Sequence, residues 1–461
     1  MKIRKISLGE CIYFFVSLMT LICSIIDVGF KPIIYSYILV CIFIFLFILT
    51  MKRRNLSIYQ IYLMTFFLFL IARPLLYCLG VFDLHTLDLY ETSTMNDELV
   101  CETLRTIIVF LTGTSYVWLF SDDSVNIKHF KKTENRYTKI NDVLKKMFAI
   151  YIILFALKIL YQIYVSRRYG YVALFNGTLD SIKLPIIFTG VGVITEVLIM
   201  FLMFYNRQET DFKKYVCIFM LLGLVRMLSG KRGYTLSFLL FFMYIWSTYY
   251  HEIKIQSKKM IGLVISAPIL IEIIANFRYQ KAISLIDMLK NNIYFQVLRS
   301  QGVTFVVVAD TIKYQEKFTN KVPFFLGYIV DFFQKEPSGQ VINDITTGNY
   351  LGDHLTYTIN SNLFFLGRGT GTSIVAEAYN LCKGNMFMIF LFALITTVIV
   401  LKISQNAYKS IFWFALSYYL LLDFILSPRG SILGSITSTV TALIASLLVG
   451  FFESRSDFEK A

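Results

Sequence analysis

Charge is scarce in this chain. Asp, Glu, Lys and Arg make up 16% of its 461 residues, where a soluble protein of ordinary composition has about a quarter. So little charge cannot cover a water-facing surface of this size, which excludes a string of soluble domains. Paired cysteines are also missing. Cys11, Cys23, Cys41, Cys78, Cys101, Cys217 and Cys382 stand singly and mostly in apolar runs, with no CxxC pair. That excludes a disulfide framework and a zinc site. The opening stretch MKIRKISLGECIYFFVSLMTLICSII is basic and then apolar, as in a signal peptide, but it lacks a small-x-small cleavage site. Many further apolar segments follow, so it reads as an uncleaved first span. No internal repeat or low-complexity tract is visible.

What the chain does have is apolar length. Hydrophobic residues make up 56% and aromatic residues 16%, and the mean hydropathy is +0.63. A spanning helix needs roughly 20 mostly apolar residues. Such runs lie near 6–26, 33–51, 57–79, 103–120, 147–165, 186–205, 215–229, 233–250, 259–276, 384–402, 410–426 and 432–452. The expected fold is an all-α, polytopic integral membrane protein of about twelve spans. One connection is far longer than the rest. The expected organisation is therefore nine spans over 1–276, a large external loop over 277–383, and three spans over 384–461. Within that loop, GVTFVVVAD and VPFFLGYIVDFF are too short to span, and read as helices on the membrane surface or packed over the bundle.

The formal net charge of +14 raises the question of nucleic acid, but its placement answers it. MKIRK, MKRRN, the 121–146 segment, RQETDFKK and HEIKIQSKK fall at alternate connections, while the 80–102 segment is acidic. Loops rich in Lys and Arg face the cytoplasm. Both termini are then cytoplasmic, and the partners are membrane lipids rather than nucleic acid.

Three turns break this pattern. SGKRG (229–233), SPRG (427–430) and GRGTGTS (367–373) put Lys231, Arg232, Arg429 and Arg368 on the side where cations are disfavoured. Arginine at that depth suits a bound anion, because its planar fork grips phosphate oxygens and a neighbouring glycine lets the backbone approach. The plainer alternative is a cation snorkelling from a helix end. Arg278 and Arg299 open the large loop and join the anion-binding candidates. GRGTGTS also opens a short helix, whose N–H groups favour anions. His85 and His354 are the histidines expected on the external side, with Asp353 beside His354 and Glu377 within SIVAEAYN. His354, Glu377 and Asp353 are the acid–base candidates. Arg73, Lys158 and Arg226 lie in or beside apolar runs, where a charge faces the bundle interior or snorkels. No carboxylate pair stands in the first external loop, so neither a metal nor another cofactor is expected.

The late external loop, the SGKRG turn opening a span, LRSQGVTFVVVADTIKY and GTSIVAEAYNLCKGN together resemble the bacterial repeat-unit polymerases of O-antigen and capsular polysaccharide. The chain departs from them at Asn380–Gly384, where related chains often read Asn-Phe-Gly. The resemblance implies a membrane glycosyltransferase of the GT-C kind. It would move a growing glycan from undecaprenyl pyrophosphate onto a lipid-linked oligosaccharide repeat unit at the outer face of the bacterial plasma (inner) membrane, with a chain-length regulator as a candidate protein partner. In that chemistry the outward cations hold the lipid pyrophosphate. Two rivals share the composition: a lipid-linked oligosaccharide flippase, which has no need of a hundred-residue loop, and an O-antigen ligase, which uses the same donor.

Overall fold

The computed structural model describes residues 7–52, 56–86, 94–121, 138–169, 188, 190–205, 209–228, 233–249, 292–318, 322–334, 348–407 and 409–458. In chain order its main helices are α1 (Leu8–Ile26), α2 (Pro32–Met51), α3 (Ile58–Cys78), α4 (Asp97–Phe120), α5 (Thr138–Tyr169), α6 (Val191–Tyr205), α7 (Glu209–Met227) and α8 (Gly233–Tyr249). They continue with α9 (Ile293–Gln301), α10 (Thr304–Lys313), α11 (Phe324–Gln334), α12 (Leu351–Ile359), α13 (Ser361–Phe365), α14 (Ile374–Leu381), α15 (Met386–Asn406), α16 (Ile411–Leu426) and α17 (Ile436–Phe458). Among the described residues the only β-type pairing is an isolated bridge between Thr86 and Thr94.

Seven of the described helices are long and apolar enough to cross a membrane: α1 to α5, α15, and α16 with the turn that follows it. The apolar stretches of α6, α8 and α17 are shorter. α7 begins with Glu209, Asp211, Lys213 and Lys214, which confines its apolar part to the later turns. The span expected over 259–276 lies outside the described residues.

The helices group into two compact units, each assembled from separated segments. The first holds Met1–Asp123, Glu252–Ile399 and Phe424–Gly434; the second holds Ser124–His251, Val400–Asp423 and Ser435–Ala461. In the first unit, α4 is the central helix and is 94% buried over its apolar window. Gly113 makes its closest crossing possible: a Cβ there would lie 2.7 Å from the Phe390 carbonyl oxygen and 2.9 Å from the Ala393 Cβ of α15. Tyr59 stacks on Trp118 at 5.4 Å and its hydroxyl meets Thr114 at 3.2 Å.

Polar side chains begin and end these helices where backbone groups lack partners. Ser7 and Glu10 form a capping box on α1, and Ser57 and Gln60 form one on α3. The Gln60 amide also donates to the Thr50 carbonyl at 2.5 Å, tying the end of α2 to the start of α3. At the other end of α1, Arg105 pairs with Asp27 at 2.6 Å and donates through Nε to the Ser24 carbonyl at 2.8 Å.

The helices from α9 to α14 gather at the end of the first unit where α3 finishes. α10 packs on α4, α3 and α14, with Phe305 to Thr311 all buried, so GVTFVVVAD lies over the bundle rather than on its surface. α11 is amphipathic: Phe324 is buried, while Leu326 and Phe333 are exposed.

In the second unit, Lys145 of α5 pairs with Asp211 of α7 at 3.0 Å. Phe155 stacks on Phe219 at 6.0 Å, and Phe219 meets Phe238 of α8 at 4.7 Å. Lys158, a cation inside an apolar run, donates to the Phe188 carbonyl at 3.1 Å. Arg226 lies 5.9 Å from the Phe155 ring. Asp423 accepts both the N–H and the hydroxyl of Ser435, each at 2.7 Å.

Candidate active site

The site is built where α3 ends and α9 ends. Pro74 has no N–H to offer the Leu70 carbonyl, and the chain answers with a π-turn over Phe67–Ile71, in which the Ala72 N–H reaches the Phe67 carbonyl. Arg73 follows at once and is 2% exposed. Its Nε donates to the Arg299 carbonyl at 3.0 Å, and its guanidinium lies 5.1 Å from the Phe82 ring. The guanidinium of Arg299 lies 5.5 Å from the same ring. Gly302 permits this approach, because a Cβ there would fall 2.8 Å from the Arg73 Cγ.

Arg429 arrives from the turn after α16. Its Nη1 donates to the Gln301 Oε1 at 3.0 Å, and its guanidinium lies 5.5 Å from Phe69. Three arginines therefore gather around residues 299–302, two of them, Arg299 and Arg429, exposed. They surround the carbonyl end of α9, where a cation is favoured. Each guanidinium lies near an aromatic ring, an arrangement that suits arginine better than lysine.

A second arrangement joins GRGTGTS to the SPRG turn. Gly367 adopts φ +76° and ends α13, with the Arg368 N–H bonded to the Leu363 carbonyl. Arg368 itself is exposed. Thr370 donates its N–H to the Thr356 hydroxyl at 2.9 Å. Gly352 packs so closely on Gly371 that a Cβ there would lie 2.8 Å from the Gly371 carbonyl oxygen. Ser373 then caps α14. Within α14, Glu377 is wholly buried, and its two carboxylate oxygens accept from different hydroxyls. Thr372 donates to Oε1 at 3.1 Å and Ser431 to Oε2 at 2.9 Å. Burial pushes this carboxyl up to about 8, and the two hydroxyl bonds draw it partly back. Two residues later, Tyr379 donates to Glu102 of α4 at 2.5 Å.

The other candidates sit nearby on α12. His354 is 7% exposed; its Nε2–H donates to the Gly348 carbonyl at 2.8 Å, and its ring packs on Phe324 at 5.1 Å. Asp353, one residue earlier in the first turn of the helix, is half-buried and so the most accessible of the three acid–base candidates. His85 stands apart from them, between two carboxylates: its Nδ1 meets Asp83 at 2.8 Å and its Nε2 meets Asp97 at 2.9 Å.

Of the anion-binding candidates, Arg299 and Arg429 come together, Arg368 lies on the loop beside α12, and Lys231, Arg232 and Arg278 lie outside the described residues. Gln301, Phe82 and Ser431 were not singled out from the sequence as parts of this region. A neutral side chain that holds a functional one gives no signal in a hydropathy profile. The buried Glu196 and the half-buried Asp423 of the second unit were missed too, although an acid inside an apolar run is a visible signal. No group of three His, Cys, Asp or Glu side chains suited to a metal ion occurs among the described residues.

No curated protein and no solved structure matches the chain. The model of the O-antigen polysaccharide polymerase Wzy family matches residues 12–456, from within α1 to within α17. A match over nearly the whole sequence, on a helical chain with many apolar spans and a polar site built by the segments between them, means that the protein belongs to the O-antigen polysaccharide polymerase Wzy family.

Proposed function

We propose that the chain transfers a growing glycan from undecaprenyl pyrophosphate to a lipid-linked oligosaccharide repeat unit at the outer face of the plasma membrane, with both of its termini in the cytoplasm. The observation that carries this is the gathering of Arg73, Arg299 and Arg429 around residues 299–302. The leaving group is a lipid pyrophosphate, which gains charge as its bond to the sugar breaks. Preorganised guanidinium groups stabilise that charge without a metal. Arg368, on the loop before α14, is a further anion-binding candidate, and Lys231, Arg232 and Arg278 are candidates from the sequence alone.

In an inverting transfer the acceptor hydroxyl oxygen bonds to the anomeric carbon as the bond to pyrophosphate breaks. The hydroxyl proton passes to a base on the opposite side of the sugar. Asp353 is the best placed of the three candidates, because it is half-buried while Glu377 and His354 are buried. A chain-length regulator is the expected protein partner.

The test is polymerisation of a lipid-linked repeat unit by purified protein in vesicles containing EDTA. Lysine keeps charge but loses the fork, so Arg299→Lys and Arg429→Lys should each cut turnover at least about tenfold, the size of one lost charge-assisted bond. Wild-type polymer length and rate from both lysine variants would refute the pyrophosphate clamp. Loss of wild-type activity in EDTA, restored by Mg²⁺ or Mn²⁺, would refute metal independence.

A further inference from the structure

Glu377 is one of three base candidates in the sequence, with a buried structural acceptor as the alternative, and its surroundings suit the second role. We infer that Glu377 is a positioning residue. It ties the loop that carries Arg368 to the turn that carries Arg429, through Thr372 and Ser431, and it acts as a hydrogen-bonding group that glutamine replaces. The inference rests on the proposed pyrophosphate reading of those arginines.

Three observations carry it. First, the carboxyl has no route to a substrate: its residue is 0% exposed, and each oxygen is occupied by a hydroxyl. Second, both hydroxyls belong to arginine-bearing segments. Ser431 stands two residues after Arg429, and Thr372 stands four after Arg368. α14 also packs directly on the 3₁₀ turn Ser427–Arg429. Third, among the described residues no Lys or Arg compensates the carboxylate. An unpaired charge is very costly in such a place, so the group holds a proton instead. Burial pushes it up to about 8, so near neutral pH most of it is the neutral acid. A neutral carboxyl donates from one oxygen and accepts at the other, and a hydroxyl fits either role. The glutamine amide has the same shape and the same one-sided donor.

Four other facts give the clasp rigid ends. Ser373 caps α14, and the Glu377 N–H bonds to the Ser373 carbonyl at 2.9 Å. Thr370 is held by Thr356, and the Ser431 hydroxyl also accepts the Leu433 N–H at 3.4 Å. Removing the carboxyl frees both turns at once, whereas removing Ser431 frees one.

The experiment compares Glu377→Ala, Glu377→Gln, Ser431→Ala and the double variant Glu377→Ala/Ser431→Ala in the same vesicle assay. KM and kcat are read separately, and thermal midpoints in detergent are measured beside them. Glu377→Ala and Ser431→Ala should raise KM for the lipid-linked substrate roughly tenfold with a smaller fall in kcat, the sign of lost positioning rather than lost chemistry. Glutamine should restore most of what alanine loses. The double variant should be little worse than Glu377→Ala, because Ser431→Ala breaks a tie that Glu377→Ala has already broken. A drop of roughly a hundredfold in kcat for Glu377→Gln at unchanged KM, as for a lost general base, would overturn the inference. Wild-type kinetics from Glu377→Ala would overturn it as well. If Glu377→Ala fails to insert, Glu377→Gln and Ser431→Ala decide alone. Arg429→Ala, run alongside, separates the two ideas: normal activity there sinks the pyrophosphate reading, whatever Glu377→Gln does.

Discussion

Arg73 and Glu377 are both almost fully enclosed, and each meets burial in its own way. A guanidinium does not give up its proton inside a protein, so Arg73 stays charged. It is held by the Arg299 carbonyl and by the face of Phe82. Glu377 has no cation to hold it and takes up a proton. His85 shows a third way. Burial alone would lower its pKa, but the bonds to Asp83 and Asp97 raise it overall above the usual 6.5. The Asp83 carboxyl falls below 3.8, first through the backbone bond from His85 and then through the ring. The signs define a window. A raised histidine contributes stability that is full below its unfolded value and lost as pH rises through the folded one. A depressed carboxylate contributes above its unfolded value and loses it as pH falls. The clasp is therefore firmest between 3.8 and 6.5 and loosens above the folded His85 value. Protection of the Met95 amide, which bonds to the His85 carbonyl at 2.8 Å, should fall from pH 6 to pH 9 in hydrogen exchange, once corrected for intrinsic rates. In His85→Gln it should not change over that range. Equal pH dependence in both proteins would remove histidine from the explanation.

At the level of elements, hydropathy marks where an apolar helix lies but not how it is turned. The run 57–79 reads as one span. The π-turn at Phe67–Ile71 inserts a residue, and each residue turns a helix by about 100°. Everything beyond it, Arg73 included, therefore faces a direction that the earlier periodicity does not give. α4 is the opposite case, a straight apolar helix whose decisive residue is a glycine. Replacing Gly113 by alanine gains about 0.5–1 kcal/mol of helix propensity. The new methyl must displace the backbone of α15 at Phe390 and the side chain of Ala393, and overpacking of this kind costs about 1–3 kcal/mol. The clash should win. Gly113→Ala is expected to lower the thermal midpoint of the purified protein, and Gly113→Leu to prevent its accumulation in membranes. A raised midpoint for Gly113→Ala would mean that α4 and α15 separate easily.

For the whole molecule, chain order and spatial order part company. The first unit takes the beginning of the chain, the long connection and the short turn 424–434; the second takes most of the remainder. Orientation is the property of the whole chain that the proposal most needs. In a protein whose seven cysteines are replaced, Asn362→Cys on exposed α13 should react with an impermeant thiol reagent in intact cells. Lys52→Cys at the end of α2 should react only after permeabilisation. The reverse pattern would put the arginine turns in the cytoplasm and end the outer-face assignment.

The amino-acid sequence alone determined the class of this protein, because scarce charge and repeated apolar runs leave a chain of this length little choice but lipid. It also exposed the Arg-Gly turns, since cations beside apolar helices are costly enough to stand out. Only the tertiary structure decided which of them meet. Arg73 bonds to Arg299 across 226 residues, and Glu377 to Ser431 across 54. No local pattern encodes such distances, because they follow from how helices pack, and packing rests on small residues such as Gly113 and Gly302 whose role appears only when a neighbour arrives. The burial of Glu377 arises in the same way, from side chains far away in the chain.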